Sequence, residues 1–118
     1  MKDPRIQELA DILIGYSLNV KKGEYILIKT DEPEALPLME ELYKKILEKG
    51  GYPLIRIQPE IFEYLMAKNA SKEQIENFLD TEIYEMRKIQ GRIRIYAPKN
   101  SKIMADIDPK KLLFCVKN

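Results

Sequence analysis

Histidine is missing from this chain of 118 residues, and that absence excludes more chemistry than any other feature of the composition. General acid and base catalysis near neutral pH, Ser-His-Asp and Cys-His nucleophile activation and most zinc sites depend on imidazole. Those routes are largely closed. Cysteine occurs once, at Cys115, so no internal disulfide forms, and its apolar surroundings in sequence mark it as a small buried hydrophobe rather than a reactive thiol. No stretch approaches the roughly 18 apolar residues that a membrane span needs. The N-terminal MKDPRIQELADIL carries acids among its apolar residues and lacks a small-residue cleavage site, so it does not read as a secretory signal, and a cytoplasmic location is expected. An excess of one charge sign is lacking too: 20 basic and 19 acidic residues leave a net charge of +1, mixed along the chain. Nucleic acid and anionic membranes are therefore poor candidates as partners. Glycine-rich phosphate loops are absent: no G-x-G-x-x-G follows the first apolar run, and KTDEPEA puts an acidic turn where a phosphate cradle needs glycines and free amides. Neither an EF-hand loop nor an Asp-rich cluster suggests a carboxylate metal site.

What is present describes one soluble domain over residues 1–118, with 45% apolar and 33% charged residues. Lys and Glu dominate the charged set, a bias of heat-tolerant proteins. DPRIQELADILIGYSL combines Asp3 as N-cap, Pro4 in the first turn and Ile6, Leu9, Ala10, Leu13, Ile14 and Ser17 at helical spacing, which predicts an amphipathic helix. After the turn NVKKGE, the apolar run of YILIK predicts a strand buried on both faces. A second helix follows, with Met39, Leu42, Tyr43, Ile46 and Leu47 on one face, Glu40–Lys44 and Glu41–Lys45 pairs on the exposed one, and Gly50-Gly51 as its stop. PLIRIQP and GRIRIYAP alternate, so Ile55 and Ile57 oppose Arg56 and Gln58, and Ile93 and Ile95 oppose Arg92, Arg94 and Tyr96. Between them EIFEYLMAKNA predicts a short helix and SKEQIENFL a capping-box start at Ser71 and Gln74, while TEIYEMRKIQ is ambiguous in type. Asp108-Pro109 has the signature of one more helix start.

Strands separated by helices predict an α/β fold: a small three-layer Rossmann-like or flavodoxin-like domain, with a parallel sheet of strand order 2-1-3 and helices on both sides. The apolar strand takes the middle and the alternating strands take the edges. Ligands in such sheets bind beyond the strand C-termini, which points to Thr30, Asp31, Gln58, Lys99 and Asn100 as a small-ligand site. The plainer role for Thr30 and Asp31 is turn and N-cap chemistry. Arg56, Arg92 and Arg94 form a candidate cationic contact face for an acidic partner or carboxylate, or else solvated edge charge that discourages aggregation. Tyr16, Tyr43 and Tyr96 are read as core aromatics.

YSLNVKKGE before the first strand, KGGYPLIRI around the second and APKNSKIMADIDPKKL after the third, in this order and spacing, resemble the start of the metallo-aminopeptidases of the thermophilic aminopeptidase T and aminopeptidase S family. The resemblance covers nearly the whole chain. It implies that this segment is an N-terminal domain, and that the helix opened by Asp108-Pro109 continues towards a larger catalytic domain in the intact enzyme. The family's two divalent metals, held by Glu, His, Asp and Tyr ligands, belong to that other domain, and none of these ligands maps onto this sequence. The resemblance thus implies a chain with no catalytic residues, no metal and no activity of its own. It also implies a partner: a homodimer or a catalytic domain, with Arg56, Arg92 and Arg94 near the contact. The remaining readings are a stand-alone interaction or oligomerisation module working through open sheet edges, and the small-ligand binder.

Overall fold

The computed structural model describes residues 4–96 and 113–117. Helix α1 (Pro4–Ile12) runs into a π-helical turn over Leu13–Ser17 and leads to β1 (Tyr25–Thr30). A 3-10 turn (Pro33–Ala35) opens α2 (Leu36–Glu48), followed by β2 (Tyr52–Ile57), α3 (Glu60–Asn69), α4 (Lys72–Lys88), β3 (Gly91–Ile95) and β4 (Leu113–Lys117). The four strands form one sheet in the order β2-β1-β3-β4. β1 pairs in parallel with β2 and β3, while β4 closes the far side antiparallel to β3. The expected order of the first three strands holds, but β3 is an internal strand rather than an edge. The predicted last helix is also corrected over residues 113–117, which form β4; Asp108 and Pro109 lie outside the described residues. The apolar run there is long enough to pair as a strand and too short for a stable helix, and a neighbour on the sheet decides between them.

The sheet's two faces differ. Register places Ile28 between Ile55 of β2 and Ile93 of β3, so these alternate residues share one face. On that face Ile26, Ile28, Ile93 and Ile95 are buried with Ala10 and Leu13 of the first helical segment and Leu38, Leu42 and Ile46 of α2. Gly51 lets β2 begin tight against this core: a Cβ there would lie 2.9 Å from Ile46 Cγ2 and 3.1 Å from the Glu24 carbonyl oxygen. The π-helical turn shifts the phase of the first helix, with Leu18 N–H donating to the Leu13 carbonyl at 2.8 Å. Leu18 and Val20 consequently enter the core, while Ser17 and Tyr16 turn outward. All three tyrosines expected in the core are exposed, Tyr16 most of all at 85%. Tyr43 and Leu47 likewise sit at the border of α2's buried stripe, which Leu38 and Glu41 complete instead. A phenol at such a border keeps its hydroxyl in water. Lys45 does not stay on the exposed face with its neighbours; it reaches Asp11 of α1 at 3.0 Å and Glu48 at 3.8 Å.

The opposite face carries Leu27, Lys29, Leu54, Arg56, Arg92 and Arg94, and α4 lies across it as the third layer. The ambiguous TEIYEMRKIQ belongs to α4 as far as Lys88, in a single helix started by a complete capping box between Ser71 and Gln74. Neither α3 nor α4 contains a buried residue. Polar contacts tie α4 to the sheet: Arg56 with Glu85, and Lys88 Nζ 5.1 Å from the centre of the Tyr25 ring.

Candidate functional site

Parallel register sets Arg56, Lys29 and Arg94 side by side across β2, β1 and β3, with Arg92 one pleat away beside Leu27. Neighbouring strands are about 4.8 Å apart, so three cations share one short row. Like charges at that spacing repel, and acids meet the two outer members. The Arg56 guanidinium forks onto both carboxylate oxygens of Glu85. That hydrogen bond, aided by the charges of Glu85 and Glu82 against the cost of partial burial, raises the Arg56 pKa above its ordinary value. Arg94 Nη2 donates to Asp31 Oδ2 at 2.6 Å, and the guanidinium lies 5.2 Å from the centre of the Tyr96 ring. Lys29, at the centre of the row, has no ion pair among the described residues.

Between this row and α4 is a cavity of about 350 Å³, lined by Lys29, the three arginines, Glu82, Glu85 and Met86 among others. Three polar atoms around the row are shut off from solvent without a hydrogen-bond partner among the described residues: Arg92 Nε, Arg94 Nε and Asp31 Oδ1. Native interiors leave few such groups, so this concentration distinguishes the cavity from the rest of the fold. A larger groove of about 1030 Å³ continues from it between α3 and α4, sharing Lys29, Arg56, Gln58, Glu82 and Glu85. Phe62, Leu65, Ile75 and Phe78 give the groove its apolar walls.

The residues predicted from sequence separate here. Arg56, Arg92 and Arg94 come together on one wall with Gln58 beside them, and Asp31 joins through Arg94. Thr30 turns the other way. It is fully buried, donates from its hydroxyl to the Ile95 carbonyl at 3.0 Å and accepts from Glu32 N–H at 3.2 Å, which staples β1 to β3 and shapes the turn. Glu32, not Asp31, occupies the N-cap position of the following 3-10 turn. Lys99 and Asn100 lie outside the described residues. Lys29, Glu82 and Glu85 were missed. The signal for the acids was their three-residue spacing, which puts both on one helix face, and for Lys29 it was a charge inside an apolar strand.

A catalytic metal needs several convergent donors, and among the described residues no group of three or more His, Cys, Asp or Glu side chains is arranged to hold one. Of the two carboxylates that line the cavity, Glu82 and Glu85, the second is held by Arg56, and Asp31 behind them is held by Arg94. The donor set does not fit a metal pair, and no hydrolytic step is assigned to it. No helix among the described residues is long and apolar enough to cross a membrane.

The sequence profile of a family described as thermophilic metalloprotease (M29) matches residues 2–117. A search of curated proteins finds no match.

Proposed function

The chain belongs to the thermophilic metalloprotease family M29, and from that premise we propose that it serves as a non-catalytic N-terminal domain of a cytoplasmic metallo-aminopeptidase, an enzyme that removes N-terminal residues from peptides. The observation that carries the proposal is the family match over residues 2–117 in a chain that contains no histidine. Paired divalent metals would then be held by a separate catalytic domain, and this domain would shape access to it and contribute subunit contacts. Arg56, Arg92 and Arg94 are the proposed contact face, since they stand on the sheet face that α4 covers incompletely. The test is hydrolysis of leucyl p-nitroanilide by the purified chain with cobalt, zinc or manganese supplied. No turnover above buffer is expected. A rate proportional to protein concentration would overturn the non-catalytic assignment.

A second reading, a self-associating interaction module, is favoured by the β2 edge. Among the described residues β2 pairs with β1 alone, and it exposes Tyr52, Ile55 and Ile57 by 40–51%. An open strand edge with apolar side chains is a template for a second strand. Light scattering that shows only a monomer at every concentration would sink this reading.

A further inference from the structure

The cavity between the sheet and α4 carries one surplus positive charge: Lys29, Arg56, Arg92 and Arg94 stand against Glu82, Glu85 and, behind Arg94, Asp31. The surplus has a location. Arg56 and Arg94 are bound to Glu85 and Asp31, whereas Lys29 and Arg92 on the adjacent strands β1 and β3 have no ion pair among the described residues. Arg92 Nε is buried without an acceptor among the described residues, so a ligand in the cavity is met by the rest of the guanidinium. A ligand with a single negative charge neutralises the surplus. A second negative charge would face Glu82, and Glu63 along the groove, with no cation left to offset it.

The groove that continues from the cavity says what the rest of the ligand is. Its walls include Phe62, Leu65, Met66, Ile75, Phe78 and Leu79. Several polar side chains along it are already committed within the protein. Asn69 donates to the Leu65 carbonyl at 3.0 Å, Thr81 donates to the Asn77 carbonyl at 3.2 Å, and Gln74 is held in the capping box with Ser71. Gln58 and Glu63 also line the groove, but its apolar walls suit an alkyl chain, which needs no hydrogen-bond partner along its length. We infer that the cavity and groove form a binding site for an alkyl monocarboxylate, with the carboxylate accepting hydrogen bonds from Lys29 and Arg92 and the tail lying between α3 and α4. The site shares the face of Arg56, Arg92 and Arg94 with the proposed domain contact, and ligand binding to the free chain, measured without any peptidase activity, reads it apart from that proposal.

The test is calorimetric titration of the full chain with decanoate below its micelle-forming concentration, with melting curves alongside. Saturable one-site binding and a ligand-dependent rise in Tm are expected. Decanol, with the same tail and no charge, is expected to bind about tenfold more weakly, and so is decanoate to either Lys29→Met or Arg92→Gln, the loss of one hydrogen bond to a charged group. Because the two substitutions lie on different strands, a folding defect in one leaves the other to decide, and Lys44→Ala on the far side of α2 is expected to bind as the native chain does. No binding, equal affinity for decanol and decanoate, or native affinity in both folded variants would overturn the site. Tighter binding of an apolar tripeptide than of decanoate would overturn the alkyl assignment.

Discussion

Replacing Ile28 by alanine and, separately, Phe78 by serine tests the difference between the sheet's two faces. Ile28 is 0% exposed and packed between Ile55 and Ile93, with the first helical segment and α2 over it. Removing its outer carbons leaves a void that rigid neighbours on three sides cannot fill, at a cost of about 2–5 kcal/mol. At a typical urea m-value of about 2 kcal/mol/M, the midpoint falls by roughly 1–2.5 M. Phe78 belongs to α4 and is 52% exposed in the fold. Complete burial of a phenylalanine contributes about 1.5–3 kcal/mol, so a half-buried ring contributes about 1 kcal/mol and its replacement moves the midpoint by about 0.5 M. Urea melts followed by circular dichroism at low protein concentration read both values. A loss of 3 kcal/mol or more for Phe78→Ser would refute the reasoning, because the α3–α4 layer would then have to be packed as tightly as the core. A loss that large only at high concentration would instead show a second molecule covering that layer.

Two further outcomes are specific. Burial works against the Glu24 carboxylate, but the hydrogen bond from Lys117, the Lys21 amide at 2.8 Å and the charges of both lysines outweigh it and hold the group below its ordinary value of 4.5. The unfolded chain therefore binds more protons just below pH 4.5, so this contribution is complete above that value and lost as pH falls through the lower folded value. Glu24→Gln is expected to flatten the stability profile between about pH 3 and 5 by no more than about 1 kcal/mol, and urea midpoints that fall in parallel with the native chain's would refute the pairing. At the other end of the sheet, Ile55→Lys on the β2 edge is expected to convert any self-associated species to monomer in light scattering while costing less than about 1 kcal/mol, since Ile55 is 42% exposed. An assembly that survives the substitution would remove this edge from the interface.

The elements that local pattern specifies were legible in the sequence. Four successive apolar residues at the start of YILIK placed β1 in the middle, and the alternation in PLIRI and RIRI placed β2 and β3 on either side of it. β4 was not legible in that way because two local signals compete in the last segment. Asp108-Pro109 announces a helix, whereas LLFCV is a short apolar run that suits a strand, and only the free edge of β3 resolves the competition. Tyr16 was misplaced for a different reason. Helical spacing assumes an unbroken phase, and the π-helical turn at Leu13–Ser17 adds a residue without any composition that announces it.

The cationic row shows the same limit at the site. Alternation alone put Arg56 on one face of β2 and Arg92 and Arg94 on one face of β3, but nothing within either strand says that the faces coincide. Register across β1 makes them coincide, and it inserts Lys29 between Arg56 and Arg94. Each adjacent pair of like charges costs roughly 0.2–1 kcal/mol, comparable with what one partly exposed ion pair returns. Glu85 and Asp31 offset the ends of the row, and among the described residues no acid pairs with its centre. Apolar residues at Lys29 and Arg92 would extend Leu27 and Leu54 into a second core and seat α4 firmly. A sheet face that instead holds cations without an ion pair among the described residues, beneath a helix with no buried residue, is poorly arranged for stability alone, which is the ground for the proposed anion site.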